Sequence, residues 1–231
     1  MRTAILRDIV RTTPRTRRLR LDIAGGPYHF RAGQAVFVAA RSPSGRAAYS
    51  IASAPSLGAA GTIELLIRSE GAFGLSGVFP ETLVGTTFDI EGPLGAFGVP
   101  DAAVTAPLLL VAGGTGIAPL RSVLLDRLER ATGGPATLVY SVRTSDEFAF
   151  AEEFEALAAA GHLTLHTTVT RDEQALGGPA RSGRVDEALL QAALHTAGAW
   201  CLVCGPAAFV QHVTVALGRL GVDAARLVVE R

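Results

Sequence analysis

The sequence predicts a two-domain α+β chain: an N-terminal antiparallel β-barrel over residues 1–102, then a C-terminal α/β domain built on a parallel sheet over residues 103–231. Two changes of pattern carry this. Short strand-like runs separated by Gly and Pro turns fill the first part. In the second, strand-length apolar runs alternate with helix-period segments, the signature of a sheet covered on both faces. The change falls near Val99–Ala106, a stretch bracketed by Pro100 and Pro107. Composition permits it: 48% of the 231 residues are apolar, enough for a sizeable core without disulfides. The formal net charge is zero, so nothing draws the whole chain toward nucleic acid or an anionic membrane. The apolar runs are too short for a membrane span. The segment MRTAILRDIVRTTPR has no signal-peptide pattern, so a cytoplasmic protein is expected.

In the first part, Leu19, Leu21 and Ile23 alternate with Arg20 and Asp22, a strand that Gly25-Gly26-Pro27 ends. Ala35–Ala40 is a more apolar strand, opened by Gly33-Gln34, and 42–45 (SPSG) is a turn. Tyr49–Ala52 is a third strand, stopped by Pro55. Thr62–Arg68 is a fourth, with Ile63, Leu65 and Ile67 on one face, and Phe88–Glu91 lies in a later one. Arg68, Gly71, Gly74 and Ser76 precede the apolar Leu75, Val78 and Phe79. They make either a capped loop or a second phosphate cradle before a helix.

The second part opens on Pro107–Leu120, PLLLVAGGTGIAPL. Leu108–Val111 has the length of a buried strand. Gly113, Gly114 and Gly116, with Thr115 among them, form a turn, and Pro119 sits in the first turn of a helix carried by Leu120, Val123, Leu124 and Leu128. Free backbone N–H groups and the helix dipole favour an anion at such a junction, and glycine lets it approach closely. The pattern G-x-G-x-x-P is neither the dinucleotide fingerprint nor a triphosphate loop, and a ligand-free turn also explains it. Strands at Thr137–Ser141, Leu163–Thr168, Trp200–Cys204 and Arg226–Val229 follow, with helices near Phe148–Ala160, Asp186–Ala193 and Ala207–Leu220.

Cys201 and Cys204 form a C-x-x-C, but on a strand such residues face opposite sides, roughly 10 Å apart, too far for a disulfide. Cys204 ends its strand before Gly205-Pro206, which puts its thiol at the carboxyl edge where open α/β sheets bind ligands. His162 and His166 read as a solvated strand face rather than a metal site. Arg15, Arg17, Arg18 and Arg20 read as a solvated edge, with a docking patch for an acidic protein as the alternative.

In order, FRAGQ (30–34), AYSIAS (48–53), Gly74–Ser76, EGPLGAF (91–97), GGTGIAP (113–119), CGP (204–206) and VVER (228–231) resemble the ferredoxin–NADP reductase superfamily over nearly the whole chain. That resemblance implies an FAD-binding barrel followed by an NAD(P)H-binding domain. It implies that Tyr49 packs on the flavin, with Arg46 and Ile51 beside it, and that Ser50 approaches flavin N5. Gly74, Leu75 and Ser76 would hold the flavin pyrophosphate, and Gly113, Gly114, Thr115 and Gly116 that of NAD(P)H. Cys204, Gly205 and Pro206 would border the nicotinamide, and Glu230 would stand by the flavin. Ser50, Cys204 and Glu230 are the expected catalytic residues. Thr170-Arg171 resembles the pair that holds a 2′-phosphate, which favours NADPH over NADH, and Arg143 is a further expected cofactor-binding residue.

Three positions depart from the family pattern. Ala47 replaces the arginine two before the tyrosine, and Arg46 is offset by one residue, so either a bulge restores Arg46 or another arginine such as Arg68 serves. An aromatic over the flavin is replaced by Arg231, and there is no cysteine cluster for an iron–sulfur centre. The expected function is an NAD(P)H-dependent flavoprotein reductase serving a separate acceptor: a ferredoxin, a flavodoxin or an oxygenase component. The alternatives are an NAD(P)H:flavin oxidoreductase using free flavin, or an electron-transfer subunit or degenerate binding module active only in a complex.

Overall fold

The computed structural model describes residues 1–40, 46–69, 84–131, 133–172, 180–194 and 198–230. The first part holds strands β1 (Arg2–Thr13), β2 (Thr16–Ile23), β3 (Ala35–Ala40), β4 (Arg46–Ser50), β5 (Thr62–Arg68) and β6 (Thr87–Leu94), with a short helix α1 (Pro55–Ala59). They form one antiparallel sheet in the order β4-β3-β6-β1-β2-β5. Its ends approach each other: Ile51 bridges Leu65, and the Ala52 N–H donates to the Glu64 carbonyl at 2.8 Å. Leu6, Leu21, Val38, Ile63, Phe88 and Ile90 fill its core.

Two elements here escape the local pattern. Strand β1 buries Ala4 and Leu6, then shifts register against β2 between Leu6 and Asp8, which destroys the period of two. Pro55 does end the extended run, but it also opens α1, where its missing N–H costs nothing. Strand β5 buries Ile63, Leu65 and Ile67 as expected. Glu64 and Leu66, on its other face, are buried too, because the second sheet's helices cover them.

The second part holds β7 (Leu108–Gly113), β8 (Ala136–Val142), β9 (Thr164–Val169), β10 (Arg181–Ser182), β11 (Trp200–Cys204) and β12 (Leu227–Glu230). Helices α2 (Ile117–Arg130), α3 (Ala151–Ala159), α4 (Glu187–Ala193) and α5 (Ala207–Arg219) cover them. The sheet is wholly parallel, ordered β10-β9-β8-β7-β11-β12. Strand β7 lies between two apolar layers. Leu108, Leu110 and Ala112 meet Leu120, Leu124 and Phe154, while Leu109 and Val111 meet Leu190, Val213 and Leu217. Burial on both faces is why its run is continuously apolar. Helix α3 starts three residues later than the pattern suggests because Phe148 instead packs edge-on against Tyr140, 5.1 Å between ring centres.

Chain order reverses between β7 and β11. In an open α/β sheet, that reversal leaves a crevice at the strands' carboxyl ends. Among the described residues, no helix is long and apolar enough to cross a membrane.

Cys201 and Cys204 occupy opposite layers, and both are free and buried. Burial pushes the Cys201 thiol up to about 12. Cys204 is also raised, by burial first and then by the Glu230 carboxylate beside it. Neither is a thiolate at neutral pH, so an aromatic disulfide reagent at pH 8 should label neither in the folded protein and both after denaturation. Fast labelling of folded Cys204 would contradict this placement.

Candidate active site

A cleft of about 530 Å³ lies between the two sheets, at the carboxyl ends of β7, β8 and β11. That volume is in the usual range for a small-molecule site. The first sheet contributes Thr13, Thr16, Ser50, Leu66 and Arg68, and the second contributes Gly113–Gly116, Ser141–Arg143, Thr170 and Cys204–Pro206.

One wall is the glycine turn. Gly114 has φ +56 and open space around it, so a ligand can lie directly on its backbone. Gly116 sits under the neighbouring strand end, where an added Cβ would fall 2.3 Å from the Cys204 carbonyl oxygen. Among the described residues, no side chain caps the N-terminus of α2 at Gly116. The Ile117 N–H turns back onto the Gly114 carbonyl and Pro119 has none, so it is the open backbone of the Gly114 turn, with the helix dipole behind it, that fits the phosphate of a dinucleotide.

Beside that turn, three side chains come together. Glu230 on β12 lies in register with Cys204 on β11. The Ser50 hydroxyl, at the end of β4, donates to Glu230 Oε1 at 3.2 Å, and the Cys204 thiol donates to Glu230 Oε2 at 3.0 Å. Burial raises the Glu230 carboxyl above its ordinary value, and the two hydrogen bonds oppose that rise. A hydroxyl, a thiol and a poised carboxylate beside a phosphate cradle suit a redox cofactor whose reacting atoms exchange protons and hydride.

Ser50, Gly113, Gly114, Thr115, Gly116, Arg143, Thr170, Cys204, Gly205 and Pro206 therefore all line this one cleft. Other predicted site residues do not. Tyr49 packs against the first sheet's core, and Ile51 is fully buried within that core. Arg171 is exposed, its N–H donating to the Arg143 carbonyl at 2.8 Å. The pairing of β3 with β4 runs unbroken from Ala35–Ser50 to Ala39–Arg46, so there is no bulge to turn Arg46 toward the cleft. Arg46 instead pairs with Glu91 at 2.9 Å and stacks 3.9 Å over Phe37. Arg68, the other arginine considered, does line the cleft. Gly74, Leu75 and Ser76, with the turn at 42–45, lie outside the described residues.

Of the four arginines read as a solvated edge, Arg20 is exposed, Arg15, Arg17 and Arg18 are half-buried, and three carry ion pairs. Arg18 meets Asp8 at 3.0 Å, Arg20 approaches Glu64 at 3.6 Å, and Arg15 crosses the cleft to Glu147 at 3.2 Å. The sequence reading missed Glu147, and also the buried Arg121 of α2. For Glu147 no local signal exists. For Arg121, followed directly by Ser122, the local sequence reads as a polar helix position and gives no sign of burial.

Comparison with known proteins agrees with this arrangement. Residues 4–98 match the oxidoreductase FAD-binding domain family, and residues 110–214 the oxidoreductase NAD-binding domain family. The chain is similar to the ferredoxin–NAD(+) reductase component of an alkene monooxygenase system from Xanthobacter autotrophicus, 41% identical over 72% of this chain and 48% of that protein. It is also similar to ferredoxin–NADP reductase B of Sorangium cellulosum, 35% identical over 74% of this chain and 69% of that one. The reductase component of naphthalene dioxygenase and salicylate hydroxylase systems from Ralstonia is 33% identical over 89% of this chain and 61% of its own length. The chain thus spans about half to two thirds of these relatives. In fold, it resembles the Amycolatopsis cytochrome P450 reductase GcoB, with a TM-score of 0.88, 24% identity, and coverage of 100% of this chain and 69% of that one. It also resembles a Neisseria gonorrhoeae ferredoxin NADP+ reductase with bound FAD and NADP, with a TM-score of 0.81, 22% identity, and coverage of 99% and 97%.

Proposed function

The chain belongs to the ferredoxin–NADP reductase-like superfamily of FAD- and NAD(P)-binding oxidoreductases, and from that premise we propose that it is a flavoprotein reductase passing hydride from NAD(P)H to FAD. Electrons then go to a separate carrier such as a ferredoxin or flavodoxin, or to an oxygenase component. The observation that carries this is one cleft in which Ser50 and Cys204 join the Gly113–Gly116 turn in the lining, while Glu230, outside that lining, holds both side chains by hydrogen bonds.

A bound flavin supplies acceptance of an electron pair and release of single electrons, and the chain's own residues supply geometry. Gly114–Gly116 and the α2 N-terminus bind the dinucleotide pyrophosphate. Cys204 and Pro206 border the nicotinamide, and burial keeps the thiol protonated there. The Ser50 hydroxyl gives its one proton to Glu230, so toward a bound flavin it would present its oxygen as an acceptor held in place by that bond, and Leu66 helps exclude water. The Ile51–Leu65 bridge supports reading the first sheet as a closed barrel, and the family matches ending at 98 and beginning at 110 support a division between domains near residue 102. Tyr49, Ile51 and the segment at 74–76 are assigned to the flavin by the family pattern.

Thr170, Arg171 and Arg143 gather at the ends of β8 and β9, which supports NADPH over NADH. Arg171→Ala should lower kcat/KM for NADPH about tenfold and leave NADH nearly unchanged. An unaltered NADPH/NADH ratio would remove Arg171 from that role.

A second reading is favoured by one observation. Arg46 is held by Glu91 and Phe37, which leaves Arg68 alone of the two arginines considered to grip a flavin phosphate in the cleft, and so a weaker hold on the flavin. The protein would then use free flavin as a substrate. An absorbance spectrum of the purified protein, followed by anaerobic NADPH and NADH, separates these readings. A bound yellow chromophore bleached by the dinucleotide supports the reductase. NAD(P)H oxidation only with added flavin supports the second reading. Inertness in both conditions rejects both and leaves a subunit active only in a complex.

A further inference from the structure

We propose that Arg121 is a positioning residue that sets the spacing between the strand end carrying Ser50 and the helix carrying the dinucleotide loop. This rests on the reductase reading for its catalytic consequence. The pinning itself is a matter of geometry.

Arg121 lies five residues past Gly116 on α2, and its side chain is only 8% exposed. Its guanidinium spends its donors on three elements. Nε and Nη2 grip both oxygens of Glu153 on α3, at 2.9 and 2.8 Å. Nη1 donates to Glu64 Oε2 on β5 at 2.9 Å and to the Ala52 carbonyl at 2.8 Å. The plane stacks 4.3 Å over Phe150. Ala52 is two residues beyond Ser50, so this carbonyl fixes where the Ser50 strand leaves the first sheet. The next residue repeats the attachment, the Ser122 hydroxyl donating to the Ser53 carbonyl at 2.6 Å. From the other side, the Glu64 N–H donates to the Ser53 hydroxyl at 3.1 Å. Residues 52 and 53 are thus clamped between β5 and α2.

An apolar contact would hold the sheets together equally well, since buried ion pairs add little net stability over well-packed apolar residues. The planar fork contributes direction instead: it accepts only one orientation of the Glu153 carboxylate, and lysine cannot copy it. Direction matters because hydride transfer is steep in distance. A displacement of about 1 Å can cost on the order of 100-fold in rate.

The test compares Arg121→Lys and the milder Glu153→Gln with the native protein, all loaded with flavin. Three quantities are read: anaerobic flavin reduction by saturating NAD(P)H, reoxidation by ferricyanide, and, without dinucleotide, deuterium uptake of the amides at 51–54 and 117–124. Arg121→Lys should slow reduction roughly tenfold or more while KM and reoxidation stay near native, and should speed exchange in those two segments. Glu153→Gln should do the same more weakly. The proposal is overturned if reduction is unchanged in both variants, if reduction and reoxidation fall together with flavin loss, or if exchange at 51–54 and 117–124 stays native. If the native protein is not reduced by either dinucleotide, the reductase reading fails, and native exchange in the variants would then overturn the pinning by itself.

Discussion

Gly116→Ala should destabilise the protein by about 3 kcal/mol and abolish saturable dinucleotide binding by whatever folds. The added methyl would lie 2.3 Å from the Cys204 carbonyl oxygen, 2.5 Å from its carbonyl carbon and 2.7 Å from the Gly205 nitrogen. All three are backbone atoms at the end of a central strand, so no rotamer change relieves the clash. Overpacking costs about 1–3 kcal/mol even where side chains can shift, and a collision with fixed backbone belongs at the top of that range. In a chain of 231 residues this corresponds to a fall in Tm of roughly 6–12 °C. The wedge would also part the α2 N-terminus from the Cys204–Gly205 corner, the two walls the ligand has to bridge. Gly114→Ala is the control. It has φ +56 but nothing within 4 Å, so it should cost only about 1 kcal/mol of left-handed strain. Its methyl would point into open space, so its main effect should be a raised KM. Denaturant melts and a dinucleotide titration of the two variants check both statements. A Gly116→Ala protein within about 1 kcal/mol of native would mean that the corner is looser than its contacts imply.

The contrast between these glycines shows what the sequence can express. That 113–116 is a turn between a buried strand and a helix is local, and the bounds of β3, β5 and β11 match the sequence pattern residue for residue. Which glycine is pinned and which is open depends on Cys204, nearly ninety positions away, and no local pattern encodes it. Strand β1 was illegible because its register shift falls mid-strand, and α1 because Pro55 is equally good at ending one element and beginning another. Arg46 was half legible. The period of two showed that it is offset from the expected position, but not that Glu91 and Phe37 would hold it. Arg121 and Glu64 look like surface charges in a linear reading. They are buried because each sheet covers the other's exposed face, and that cover is purely tertiary. The role of Glu230 came from the family resemblance. Its own context, Val228-Val229-Glu230, indicates only a strand.

Glu230→Gln should raise stability at neutral pH while slowing turnover. Its carboxyl is raised from the ordinary 4.5, chiefly by burial, against the pull of the Cys204 and Ser50 hydrogen bonds. A carboxyl raised in the folded state binds its proton more tightly there than in the unfolded chain. Folding is therefore favoured most below about 4.5, and stability declines as pH climbs from there to the raised value, above which the ionised, desolvated form is carried at a constant cost. Glutamine removes that charge and keeps an oxygen to accept from Ser50. The variant should therefore melt above the native protein at pH 8, and the gap should close as pH falls toward the ordinary carboxylate range. Turnover should move the other way. A hydrogen bond to a carboxylate contributes about 1.5–3 kcal/mol against about 0.5–1.5 for a neutral acceptor. Loosening the Ser50 hydroxyl by that difference, on the order of 1 kcal/mol, should lower kcat roughly five- to tenfold. Ser50→Ala in the Glu230→Gln background should then add little, since the two groups act through one bond. Equal melting temperatures for Glu230→Gln and the native protein from pH 5 to pH 8 would show that solvent reaches the carboxylate freely. Fully additive rate losses in the double variant would show that Ser50 and Glu230 act separately.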